Sequence, residues 1–144
     1  MVWRQIARSG KRRRKDIVEI LLDSSVLVDT LRRRRGRPEW LRQMVSSGAR
    51  LSTTPVNVAE IYAGMRPHEQ VRTDGLMSGL YCYEITAVTG RIAGDLKRML
   101  DGGRTVSLPD ILVAAVAIEN GLPVATDNLR DFVHPGLQIF PLPD

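Results

Sequence analysis

Asp23, Glu60, Asp110, Asp127 and Asp131 are the residues of this chain best suited to carry chemistry. Asp23, Asp110, Asp127 and Asp131 lie at the ends of strands or the start of a helix, and Glu60 lies about a turn and a half into its helix. Several carboxylates converging without compensating cations repel one another, and their pKa values rise unless a divalent ion binds among them. A hard cation such as Mg²⁺ or Mn²⁺ accepts carboxylate oxygens, keeps several waters and takes substrate phosphate as a further ligand. Such an ion deprotonates and orients a water for attack on phosphorus and neutralises charge on the leaving oxygen. Other routes have little support: Cys82 is the single cysteine, and His68 and His134 are isolated from any nucleophile or zinc-type spacing. The residues therefore point to metal-dependent hydrolysis of a phosphodiester. Ordinary roles stand beside this one. Asp23 would also serve as a helix N-cap, Asp110 would favour a helix N-terminus, and Asp131 would orient Arg130 or cap a turn. Glu60, between Val58 and Ile61, is harder to explain as a solvated charge.

The elements that must position these acids alternate between strand and helix. Ile17 to Leu22 is a short, branched, almost continuous apolar run of the kind a buried parallel strand requires. It ends at Asp23, and Val26, Leu27 and Leu31 then follow at helical spacing. A second helix is predicted from about Pro38 to Ser47, closed by Gly48. Leu51 to Thr54 is a strand candidate. Pro55 opens a helix with Val58, Ile61, Tyr62 and Met65 on one face, which places Glu60 near the end of the second strand. A weak helix over residues 68–80, a strand over 81–85 and a long helix from Ala87 to about Asp101 come next. Ser107 is a predicted N-cap for the apolar helix from Ile111 to Asn120, with Gly121 as its C′ residue. Strands are predicted at Leu122 to Ala125 and Leu137 to Phe140, with Asp127 and Asp131 following the former. Strands and helices in this order favour a parallel sheet covered on both faces, where functional groups gather beyond the carboxyl ends of the strands. Glu69, Asp74, Asp95, Asp101 and Glu119 fall at surface-like positions.

At 144 residues, with 43% hydrophobic and 26% charged residues, the chain has the size of one globular domain and needs no disulfide to hold a core. No apolar stretch approaches the ~18 to 20 residues that cross a bilayer. With a single cysteine, a reducing cytoplasm is the expected setting. The net charge of +5 is unevenly spread: residues 1–50 carry a net +9 and residues 51–144 a net −4. Most of the excess lies in Lys11 to Lys15 and in Arg32 to Arg35, with Arg37 close behind. Such runs suit a polyanion such as nucleic acid, or else form solvated surface. Residues 1–16 lack periodicity and read as a basic N-terminal arm or an upstream extension of the reading frame. A phosphoacceptor receiver domain would need paired acids after the first strand and a lysine after the last, and neither is present. Asp23-Ser24-Ser25 lacks the Asp-x-Asp of a haloacid-dehalogenase phosphatase, and no phosphate-cradling Gly-x-x-x-x-Gly-Lys loop occurs.

Four blocks carry a resemblance. Ile20 to Leu27, Val58 to Gly64, Pro109 to Ala115 and Thr126 to Phe132 resemble, in order, the four motif blocks of PIN-domain ribonucleases of the VapC toxin type. The likeness spans roughly residues 17–140. It implies a three-layer α/β/α fold around a central parallel sheet of about five strands, filling a nuclease domain over residues 17–144. It also implies a Mg²⁺ or Mn²⁺ site, endonucleolytic cleavage of RNA, a cognate antitoxin that blocks the site, and a homodimer.

By position, Asp23, Glu60 and Asp110 match the acids the family shares most firmly, with Asp23 and Asp110 as principal ligands of one Mg²⁺ and Glu60 on the metal or its water. In the last block the family often reads Thr-x-Asn or Thr-x-Asp before an Asp-Phe pair. This aligns Asn128 with the fourth acidic position and Asp131 with the closing aspartate, while Asp127 remains a further catalytic candidate. Ser25 matches the small polar residue after the first acid and is a supporting contact. The run Arg32, Arg33, Arg34 and Arg35 is placed to guide RNA. A catalytically silent PIN-like module that binds RNA or a partner protein is the competing expectation.

Overall fold

The computed structural model describes residues 17–100 and 106–144. The basic arm expected over residues 1–16, and the end of the predicted helix at Asp101, lie outside the described residues. Four parallel strands, β1 (Glu19–Leu22), β2 (Arg50–Thr53), β3 (Tyr81–Cys82) and β4 (Val124–Ala125), form one sheet in the order β3-β2-β1-β4. The helices are α1 (Ser24–Leu31), α2 (Arg37–Ser46), α3 (Pro55–Ala63), α4 (Gln70–Ser78), α5 (Ala87–Met99) and α6 (Leu108–Asn120). Short 3-10 turns occur at Pro67–Glu69 and Leu129–Phe132.

Strand alternation divides the interior into two cores. Leu21 and Val124 point to one face and pack with Ala93, Leu96, Phe132 and the buried run from Ile111 to Ala117, beneath α5 and α6. Ile20, Leu22 and Ala125 point to the other and meet Val26, Leu27, Trp40, Leu41, Met44 and Ile61 from α1, α2 and α3. The result is the expected three-layer α/β/α arrangement. β1 lies inside the sheet, and its Ile20, Leu21 and Leu22 are completely buried, which is why its sequence reads as continuous rather than alternating apolar residues.

The sheet has four strands where about five were expected. The predicted strand at Leu137 to Phe140 contracts to a parallel bridge between Val124 and Ile139. Gly136 turns the chain just before it with φ of 81°, and Pro141 and Pro143 just after it lack the N–H a ladder needs. The strand predicted over 81–85 is only Tyr81–Cys82, and the weak helix over 68–80 begins with a 3-10 turn before α4. Glu69, expected at the surface, is buried, its carboxylate accepting the Arg66 N–H at 2.9 Å. Among the described residues no helix is long and apolar enough to cross a membrane.

Candidate active site

Asp23 follows β1 directly, beyond its carboxyl end, and its N–H donates to the Ala125 carbonyl at 3.0 Å, beside β4. It occupies the N-cap position of α1, but its carboxylate does not cap the helix. Instead Oδ2 accepts the hydroxyls of Thr126 at 2.8 Å and Ser25 at 3.1 Å. Asp23 is only 3% exposed. Burial pushes its pKa up, opposed by hydrogen bonds from Thr126, the Ser24 backbone and Ser25, and nearby negative charge on Asp110 pushes it further up.

Asp110 enters from α6. Ser107 caps that helix, accepting the Asp110 N–H and donating its own hydroxyl to Asp110 Oδ2 at 2.9 Å. Asp110 thus meets the helix start through one carboxylate oxygen, while the second takes no hydrogen bond from a described residue.

Glu60 projects from α3 and is exposed, and its Oε1 accepts the Ser24 hydroxyl at 2.8 Å. Ser24 in turn accepts the side-chain N–H of Asn57, which is completely buried, at 3.0 Å. Thr54 caps α3 through the Asn57 N–H and donates its hydroxyl to Asn57 Oδ1 at 2.8 Å. None of Asp23, Glu60 and Asp110 forms an ion pair with a described cation. Among the described residues, however, no three His, Cys, Asp or Glu side chains converge closely enough to hold an ion by themselves. Glu60 is tied to the start of α1 through Ser24, the residue next to Asp23.

The last block behaves differently from its acids' appearance in sequence. Asp127 Oδ1 is bound by Arg37 Nη2 at 2.9 Å and by Arg35 Nη1 at 3.1 Å. Its carboxylate is therefore paired with two cations, and its N–H donates to Ser25 Oγ at 3.2 Å. Asn128 is exposed, and its N–H donates to Thr126 Oγ1 at 2.9 Å. Asp131 lies in the 3-10 turn and makes no ion pair with Arg130. Arg32, Arg33, Arg34 and Arg35 are exposed after α1, with Arg33 and Arg35 in the left-handed region at φ of 53° and 54°. Arg37 leaves the basic run altogether: it is 2% exposed and also donates to the Pro143 carbonyl at 3.0 Å.

Sequence reasoning missed Thr126, Ser24, Asn57, Thr54 and Arg37 as contributors. Thr126 and Ser24 adjoin predicted acids, and their small hydroxyls were the available signal. A buried asparagine three residues before Glu60, or a buried arginine at a helix start, gives no signal of its own.

A parallel α/β sheet with uncompensated carboxylates beyond the carboxyl ends of its strands defines a class of small acidic-site domains. The particular family is given by the sequence: the PIN domain model matches residues 20–135, and the chain belongs to that family. Solved structures agree in fold. VapBC2 from Rickettsia felis, bound to a DNA fragment from its promoter, matches 85% of this chain and 98% of its own at 19% identity, with a TM-score of 0.76. DNA-bound VapBC from Salmonella typhimurium matches 86% of this chain and 98% of its own at 22% identity, with a TM-score of 0.75. VapC20 from Mycobacterium tuberculosis, described as a sarcin-ricin loop cleaving toxin, matches 81% of this chain and 99% of its own at 15% identity, with a TM-score of 0.60. No curated protein sequence matches the chain.

Proposed function

We propose that this protein is a divalent-metal-dependent endoribonuclease, the toxin of a toxin–antitoxin pair of the VapC type. One observation carries the reading: Asp23 is buried beyond the end of β1 with no ion pair to a described cation, its carboxylate held by the hydroxyls of Thr126 and Ser25. Asp23 with Asp110 suits Mg²⁺ or Mn²⁺, since such ions are often held by one or two carboxylates plus waters and substrate phosphate rather than by an all-protein cage. In this reading Asp23 and Asp110 hold the ion and Glu60 holds the ion or its water. The bound ion would supply an activated water and charge neutralisation at the cleaved phosphodiester. Ser25 and Thr126 orient Asp23. Asn128 and Asp131 help a second ion or position substrate, and Asp127 contributes through its backbone while its side chain pairs with arginine.

Exposed Arg32, Arg33 and Arg34 offset the acidic cleft and draw RNA toward it. The antitoxin partner rests on the VapBC likeness, the cytoplasmic setting on the single cysteine, and the homodimer on the family resemblance. A second reading, a silent module that binds RNA or protein, is favoured by the arginine-paired Asp127 and by the absence of a three-ligand cluster among the described residues. Metal titration separates them. The enzyme binds Mn²⁺ and cuts structured RNA in a reaction that EDTA stops. A module that retards RNA without cutting it, in Mg²⁺ and Mn²⁺ alike, would establish the second reading.

A further inference from the structure

The hydrogen bonds leading to Glu60 have a direction, and donor counting fixes it. Thr54 Oγ1 accepts the Asn57 N–H as the cap of α3, so its own hydroxyl proton is free to reach Asn57 Oδ1 at 2.8 Å. That leaves Asn57 Nδ2 facing Ser24 Oγ at 3.0 Å, where it donates. Ser24 has a single proton, and with its oxygen already accepting, that proton goes to Glu60 Oε1 at 2.8 Å. Flipping the Asn57 amide breaks the series. Oδ1 would then compete for the Ser24 proton, and a Ser24 lone pair would face the Glu60 carboxylate. Asn57 is completely buried, so water does not compensate a lost partner.

We infer that Asn57 is a positioning residue, which polarises Ser24 so that Glu60 is held as a hydrogen-bond acceptor beside Asp23. The inference rests on the metal-nuclease reading for its consequence, since Oε1 of Glu60 is occupied and oriented by the relay while Oε2 is left to the ion or its water. It also explains how α3 and α1 are registered at the site: Asn57 and Glu60, one helical turn apart, both grip the first residue of α1.

The test compares Asn57→Asp, Ser24→Ala, their double variant and the rescue variants Ser24→Thr and Thr54→Ser. Asn57→Asp keeps the shape but replaces the donor with an acceptor, drawing the Ser24 proton away from Glu60. Two readouts are taken: Mn²⁺ affinity by titration calorimetry, and the ¹³Cδ resonance of Glu60 in metal-free protein at fixed pH. Asn57→Asp and Ser24→Ala should each weaken Mn²⁺ binding on the order of tenfold, the worth of one hydrogen bond to a charged group. The double variant should be no weaker than either single one, and both rescue variants should bind within about threefold of wild type. The Glu60 resonance should move alike in Asn57→Asp and Ser24→Ala. An unmoved resonance in Asn57→Asp, or multiplicative losses in the double variant, would overturn the relay. Wild-type protein that bound no Mn²⁺ would overturn the metal reading, and the resonance would still decide the relay.

Discussion

Replacing Thr126 with valine should destabilise the metal-free protein by an amount that depends on pH. Thr126 is 3% exposed, donates to Asp23 Oδ2 at 2.8 Å, and accepts the Asn128 N–H at 2.9 Å. Valine keeps the shape and removes both bonds. Asn128 is exposed, so water replaces its acceptor, whereas the Asp23 carboxylate loses a contact that nothing replaces. Asp23 has its pKa raised above the ordinary 3.8, chiefly by burial, so it binds its proton more tightly folded than unfolded. The stability this tighter binding gives is fully present below 3.8 and is lost as pH rises through the raised value. Thr126→Val raises the folded pKa further, and the extra loss falls where wild-type Asp23 is charged. A hydrogen bond to a charged group is worth about 1.5–3 kcal/mol and one to a neutral carboxyl about 1 kcal/mol. Urea unfolding in EDTA should therefore show a loss of about 2–3 kcal/mol near pH 8, or roughly 5–10 °C in Tm for a chain of this size, and about 1 kcal/mol near pH 3, below the ordinary 3.8. Equal losses at the two pH values would refute the claim that Thr126 stabilises a buried, charged Asp23.

Asp23→Asn should stabilise the metal-free protein near pH 8 by removing a buried charge and its repulsion from Asp110, seen as a higher Tm in EDTA; a lower Tm would contradict this. Mn²⁺ should raise the Tm of wild type and leave that of Asp23→Asn unmoved. Arg37→Ala should cost about 2–3 kcal/mol in urea unfolding, because it removes the buried one of Asp127's two cations and frees the Pro143 carbonyl while Arg35 stays paired. A loss below ~1 kcal/mol would assign that network to the surface class. Arg33→Gly should gain roughly 1 kcal/mol by relieving a left-handed backbone at φ of 53°, yet weaken RNA retention at low salt. Unchanged retention would remove Arg33 from the RNA surface.

Strand–helix alternation was legible because β1 and α6 are buried on several sides and so carry unmistakable apolar runs. Their flanking Asp23 and Asp110 were legible for the same reason. The edge of the sheet was harder: β4 has only Val124 and Ala125, and the stretch beyond it is set by Gly136 and two prolines acting against strand propensity. The pairing of Asp127 was not legible because its partners, Arg35 and Arg37, lie about ninety residues earlier and no local pattern announces it. Arg37 looked like surface charge for the corresponding reason. Asn57 was illegible because its work is done by hydrogen-bond direction, which composition does not encode.

In the proposed function, Asp23 and Asp110 together would hold one divalent cation that drives RNA cleavage. This reading is tested most directly by incubating wild-type and Asp110→Asn proteins with the same structured RNA in Mn²⁺, with and without EDTA, and sequencing the RNA ends. Wild-type protein should make discrete cuts that EDTA abolishes, and a folded Asp110→Asn protein should make none. Cleavage by Asp110→Asn at the wild-type rate would contradict it.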